Sequence, residues 1–377
     1  MNSMKRRVAC LALACLVCGM TLAGCSEPAP KVEPAKLPAD DELRDRIDRA
    51  LTFTRENRHL NTKDQAAWQV VHGALVYGRD FQIYHEGELV DALDYLLKGG
   101  QLRGWTLRKG DRGLEAVLEA GSNTGQGHED QWLGYLSQCG LSPDEEIVVG
   151  GETYTVRDLI EQAKWDLYHG MEASWTLMAF SKYLPLDAEW TAKDGSTWSI
   201  DRIVDMETAQ NLDESACGGT HRMYGLTVAV DRYLQDGGEL DAEGDGTWDK
   251  AQRKIQDAIA AARRHQQPDG SFSTNYFARP GTSPDIAARI GSTGHTLEFL
   301  CMALPDEELQ KPWVTRAVVH LVECLERTQK IDLECGALYH AAHGIDLYRT
   351  RRFGPRDETP GTDTATPKAA PAATTRS

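Results

Sequence analysis

The sequence predicts an all-α protein, an (α/α)6 toroid of alternating outer and inner helices. Three observations predict it. Strand signals are sparse, and the one clear extended stretch, "EIVVGGETYTV" (146–156), reads as a single hairpin around Gly150 and Gly151. Helix-period segments of two kinds alternate six times, one kind charged with a single apolar stripe and the other apolar nearly all round. A short pattern recurs where apolar segments begin: His128, His221 and His295 each have a leucine five residues on, and His340 has Ile345 there.

In chain order, outer 40–57 precedes inner 64–77, and 87–98 precedes 129–138. Outer 155–167 then precedes inner 170–184, and 199–210 precedes 218–234. The last pairs are 247–266 with 292–304 and 306–328 with 335–348. An amphipathic helix hides one stripe and fits an outside layer, whereas a helix apolar all round must be buried on most faces. Such a pair cannot bury its apolar surface alone, so neighbouring pairs stack, and closing the ring leaves no exposed end. Residues 100–126 fit least and are assigned an extra short helix and a long loop.

The chain has 377 residues, and its ends read differently from its middle. Lys5, Arg6 and Arg7 precede an apolar run from Val8 to about Leu22, which is a secretory signal too short to span a membrane. Leu22-Ala23-Gly24-Cys25 resembles the lipobox of bacterial lipoproteins. The resemblance implies cleavage after residue 24, a lipid on Cys25, and a protein anchored in the cell envelope. Ser26 in place of an aspartate favours the outer membrane, facing periplasm or exterior. The expected organisation is signal peptide 1–24, lipidated cysteine and Pro-rich tether 25–38, toroid 39–354, and a Pro/Thr/Ala-rich disordered tail 355–377.

Net charge is −16. So acidic a chain is a poor nucleic-acid binder, since phosphate contacts need clustered Lys and Arg. Of nine cysteines, three leave with the signal and Cys25 carries the lipid. Cys139, Cys217, Cys301, Cys324 and Cys335 remain, an odd number that leaves at least one thiol outside any internal disulfide.

Gln266-Gln267-Pro268-Asp269-Gly270-Ser271-Phe272 resembles the Q-x-x-D-G-S-W/F turn of the squalene cyclase and prenyltransferase toroid family, with weaker echoes at 194–198 and 245–248. The resemblance implies the toroid fold, with this turn linking an outer helix to the next inner one. The chemistry of the family transfers less readily. The Asp-x-Asp-Asp acid motif of the terpene cyclases is absent. "DDELRD" (40–45) reads as an acid-rich helix start. Protein prenyltransferases hold zinc through Asp-x-Cys and a distant His; here Asp213 and Cys217 are four apart, with His295 as the distant histidine.

Inner helices of a toroid run the same way, so their N-termini, and with them His128, His221 and His295, are expected at one mouth. Helix N-termini attract anions and favour a neutral imidazole. The candidate catalytic set is His128, Asp130, His221, Tyr224 and His295. Asp130 would orient an imidazole, the histidines would exchange protons, and Tyr224 with Arg222 would donate to an oxyanion. The zinc alternative is Cys217, His221 and His295, with no other cofactor expected. Taken singly, each histidine also reads as a helix-start capping or packing residue. Trp68, Trp132, Trp175, Phe180 and Phe299 read as core or as the lining of a cavity. P-loops, nucleophile elbows and dinucleotide fingerprints are absent. The expected function is a lipid-anchored toroid that binds and processes a small molecule, carbohydrate or isoprenoid-like, by His/Asp/Tyr acid–base chemistry. A non-catalytic binding or scaffolding toroid is the second reading and a zinc protein the third.

Overall fold

The contrast between striped and all-round apolar segments sets the layers. The structure, a computed structural model, describes residues 37–356. The expected signal peptide, the lipidated Cys25, nearly all of the tether and nearly all of the tail lie outside the described residues.

Helix α1 (Asp40–Asn57) buries Leu43, Ile47, Ala50, Leu51 and Thr54, the spacing of one stripe. Asp40, Asp41 and Glu42 occupy its first turn, where the helix dipole favours acids. Helix α2 (Ala67–Tyr77) buries every residue but Gln69. Strands β1 (Gln82–His85) and β2 (Glu88–Asp91) form a hairpin on Glu86 and Gly87, both at positive φ (51° and 94°), as a two-residue type I′ turn requires. The chain passes directly into α3 (Ala92–Leu97). Strands β3 (Trp105–Lys109) and β4 (Leu114–Leu118) pair before α4 (Gln131–Gln138). Strands β5 (Glu146–Val149) and β6 (Glu152–Thr155) turn on Gly150 and Gly151 and lead into α5 (Val156–Asp166). After α6 (Ser174–Tyr183), β7 (Glu189–Thr191) and β8 (Thr197–Ser199) lead into α7 (Ile200–Ala209). The remainder is helical: α8 (Thr220–Gln235), α9 (Thr247–His265), α10 (Ile286–Ala303), the short α11 (Asp306–Leu309), α12 (Pro312–Arg327) and α13 (Cys335–Phe353).

The all-α expectation is thereby overturned. Four two-stranded antiparallel sheets make up 11% of a chain that is 55% helical, so the class is mixed helix and strand. Strands of three to five residues are too short to display a period of two. The segment 100–126 contains the β3–β4 hairpin instead of a helix. The expected helix 306–328 breaks in two, because Pro312 lacks an N–H and opens a new helix. Among the described residues all five cysteines are free thiols.

Buried helices α2, α4, α6, α8, α10 and α13 each pack on the next, and α13 packs back on α2. Around them, α3 lies on α2, α5 on α4, α7 on α6 and α8, and α9 on α8. Helix α12 lies on α10 and α13, and α1 lies on α12 and α13. Arg349 of α13 clasps Asp48 of α1 through two bonds of 2.8 and 3.1 Å, which ties the two ends of the described chain together. The turn at 266–272 links α9 to the loop before α10. Gln266 donates to the carbonyl oxygen of Trp313 at 2.7 Å, and buried Phe272 packs edge-on against the Trp313 ring.

Helices α10 and α13 cross closely. A Cβ placed on Gly294 would lie 2.6 Å from the Ala341 nitrogen and 2.7 Å from its Cα, so the two backbones touch. Gly294→Ala is expected to lower stability by about 1–3 kcal/mol through overpacking, read as a fall in the urea midpoint at unchanged slope. This contact holds the polar residues of α10 against those of α13.

Candidate functional site

Polar side chains gather where the buried helices face one another. His221 is the hub. It is the second residue of α8 and 3% exposed. Its ring centroid lies 4.7 Å from that of His128, 5.5 Å from His295, 5.9 Å from His340 and 5.0 Å from Trp175. Neither of its ring nitrogens has a hydrogen-bond partner. Burial, then the neighbouring imidazoles, hold its pKa well below the ordinary histidine value. A buried polar group left unpaired costs about 1–3 kcal/mol, so such a side chain calls for a missing partner.

Three of the expected residues therefore do meet: His128, His221 and His295. The helix starts differ from expectation, however. Helix α10 begins at Ile286, so His295 lies more than two turns inside it rather than at a rim. Its Nδ1 lies 2.8 Å from the Gly291 carbonyl oxygen. A carbonyl only accepts, so Nδ1 carries the proton and Nε2 is left with its lone pair. His128, just before α4, lies with Nδ1 3.0 Å from Glu172 Oε2.

Asp130 does not orient an imidazole. It sits at φ 55° as the N-cap of α4 and accepts from Thr176 Oγ1 at 2.5 Å. Burial raises its carboxyl to about 6. The carboxylate beside His128 is Glu172. Tyr224 is likewise committed: its hydroxyl lies 2.6 Å from Glu298 Oε2 and 2.9 Å from the His295 carbonyl oxygen. Arg222 pairs with buried Glu207 at 2.7 Å and does not enter the cluster. His169 is exposed. The five aromatic residues singled out on inner segments are all buried core, with Trp175 alone facing His221.

Four further residues complete the cluster. Glu298 of α10, 1% exposed, accepts from Tyr224, from His340 Nδ1 at 2.7 Å and from His343 Nδ1. Burial alone would raise its carboxyl; the two imidazoles outweigh this and hold it well below the usual range. His340 stacks on His295 with centroids 3.7 Å apart and is pushed down to about 4 by burial. His72 of α2 donates from Nδ1 to the Trp68 carbonyl oxygen and faces the Tyr135 hydroxyl at 3.0 Å through Nε2. Burial takes it to about 3.

Cys217 reaches the hub by an unusual route. Cys217, Gly218 and Gly219 all have left-handed φ (48°, 60° and 80°) just before α8, so Cys217 and His221 do not share a helical face. At Gly218 a Cβ would lie 2.3 Å from the Tyr276 ring, so only glycine fits. Cys217 itself, a non-glycine residue in this region, stores about 1 kcal/mol or more of strain. Burial pushes its thiol up to about 12, with the Glu172 carboxylate adding to the effect.

Two groups of side chains are placed to hold a metal ion. One is Cys217, His221 and His295; the other is His128, Glu172 and His221. Within each group the donor atoms lie within 4.8 Å of one another. Both donor sets suit a borderline divalent cation such as zinc. Compared with protein-family models, with curated proteins and with solved structures, the chain matches none.

Proposed function

We propose that the protein is a metal-dependent enzyme whose zinc ion is held by Cys217 Sγ, His221 and His295, with the fourth position open to water or substrate. The observation that carries this reading is His221: an imidazole with both nitrogens unpartnered inside a polar cluster. Three protein ligands and one open position are the arrangement in which zinc lowers the pKa of a bound water and polarises an oxygen of the substrate. The thiol at Cys217 fits a cation better than a free role, since a bound metal removes the proton that burial otherwise retains. The His295 Nδ1–H to Gly291 bond is the outer contact that orients a metal-ligating imidazole. The lipobox-like Cys25 would hold this centre at a membrane of the cell envelope. No helix among the described residues is long and apolar enough to cross one.

A second reading, acid–base chemistry without metal, is favoured by the 3.0 Å contact between His128 and Glu172, a carboxylate-oriented imidazole of the kind that transfers protons. Metal analysis separates the two. The full chain, exposed to zinc and desalted, should retain at least one equivalent. Cys217→Ala should weaken zinc binding by at least tenfold while leaving the far-ultraviolet circular dichroism unchanged. No stoichiometric zinc in the wild-type chain would leave the metal-free reading standing alone.

A further inference from the structure

A single zinc ion leaves part of the cluster unexplained. It would engage one nitrogen of His221 and leave the other buried without a partner. It would also leave Glu172 Oε1, a buried oxygen with no hydrogen bond. These two orphans face each other: His221 Nδ1 and Glu172 Oε1 are 4.0 Å apart. That is beyond hydrogen-bond range and a few tenths of an ångström wider than the roughly 3.3–3.6 Å that separates two donors of one tetrahedral zinc with bonds of about 2.0–2.2 Å, so a small side-chain movement would bring both atoms onto one ion. The other Glu172 oxygen lies 3.0 Å from His128 Nδ1, a spacing that two neighbouring ligands of one ion can take. The same His221 belongs to both ligand groups.

We infer that His221 bridges two divalent cations, one shared with Cys217 and His295 and a second shared with His128 and Glu172. This rests on the metal reading above and extends it from one ion to two. His221 then acts as an imidazolate, with one ring nitrogen on each ion. Its remaining N–H proton and the Cys217 thiol proton both leave to solvent on loading. The thiolate, imidazolate and Glu172 carboxylate bring three negative charges against four positive, so the pair of ions is nearly neutralised within the site. The second position, with imidazole and carboxylate donors and no sulfur, is harder than the first and suits zinc, manganese or iron as well as copper. Buried His221 and Glu172 Oε1 both acquire partners, which no single ion in the first position supplies.

The test uses the full chain stripped by chelator, reloaded with zinc(II) or separately with copper(II), and desalted. Two equivalents of zinc are expected for wild type and one for either Glu172→Gln or Cys217→Ala. His221→Ala should hold fewer than one. The copper-loaded wild type should show an electron paramagnetic resonance signal well below that of two isolated ions, because a bridging imidazolate couples the spins. Glu172→Gln, which holds one ion, should recover the full signal of that ion. Glu172 lies at the edge of the cluster and is not fully buried, so Glu172→Gln should fold; Glu172→Asp, which keeps the charge, should retain at least part of the second equivalent. One equivalent lost in Cys217→Ala but unchanged in Glu172→Gln would overturn the bridge and leave the single-zinc reading intact. Two equivalents with uncoupled copper spins would also overturn it. No bound metal in wild type would overturn both.

Discussion

Replacing Glu298 by alanine should lower the stability of the chain by about 3–5 kcal/mol, a third or more of what a typical domain has. Glu298 is 1% exposed, and three donors converge on its carboxylate: Tyr224, His340 and His343. Removing it leaves two buried imidazole N–H groups with nothing to accept them, and each orphan adds about 1–3 kcal/mol, while the Tyr224 hydroxyl keeps only the His295 carbonyl oxygen. The contact also spans elements, since Tyr224 comes from α8, Glu298 from α10 and the two histidines from α13. Its loss therefore loosens the α10–α13 crossing as well as the His295–His340 stack. Glu298→Gln keeps the shape and one acceptor oxygen but loses the charge, and one of its amide hydrogens would face a donor. An intermediate loss of about 1–3 kcal/mol is expected for it. Urea denaturation of both variants reads these values directly. A loss under about 1 kcal/mol in the alanine variant, within the range of an ordinary surface substitution, would show that the three donors are not fastened to Glu298 in solution.

The parts of this arrangement that the sequence disclosed follow from periodicity. The alternation of striped and all-round apolar helices is written in 3.6-residue spacing, as in Leu43, Ile47, Ala50 and Leu51 against the unbroken run of α2. Of the four hairpins only β5–β6 was legible, through Gly150 and Gly151 between two extended stretches; the other three were not. Three of the four end directly in an outer helix: β2 into α3, β6 into α5 and β8 into α7. In each case a fully buried residue, Ala92, Val156 or Ile200, opens the helix. That repeat spans only about a dozen residues at a time, and in the third copy the turn is longer, so no single period reveals it. The histidines of the site were visible because an imidazole is conspicuous in an apolar segment. Their carboxylates were not. Asp130 is only two residues from His128 in sequence, yet a left-handed backbone turns it to Thr176. Glu172 is forty-four residues away and reaches His128 across the α4–α6 contact. One signal was available: His295 and Glu298, and likewise His340 and His343, are pairs at i, i+3 on otherwise apolar helices, where two polar side chains on one face imply a shared partner.

Acidification of the metal-free chain should expose the cost of keeping neutral imidazoles inside. His72 is the clearest case. Its partners are the Trp68 carbonyl, the Tyr135 hydroxyl and the His340 ring, and burial holds it at about 3 against about 6.5 in an unfolded chain. The folded state therefore refuses a proton that the unfolded state accepts. Stability from this residue is intact above pH 6.5 and falls as the pH drops through the interval from about 6.5 to about 3, at about 1.4 kcal/mol per unit. By pH 4 the loss is about 3 kcal/mol from His72 alone. His340, at about 4, adds a loss of the same sign over a similar interval. Asp130 works the other way: its carboxyl, raised to about 6, takes up a proton in the folded state first and gives back stability between about pH 6 and pH 4. The net pH profile of the wild type mixes these effects, so the decisive measurement is a difference. His72→Gln should be less stable than wild type at pH 7.5, having lost its fit. The gap should shrink by about 3 kcal/mol between pH 7 and pH 4, because the variant has no proton to refuse there. Urea unfolding of both chains in the presence of chelator gives the two curves. A gap that stays constant across that range would mean that His72 titrates alike in the folded and unfolded chain, and hence that its ring is open to water.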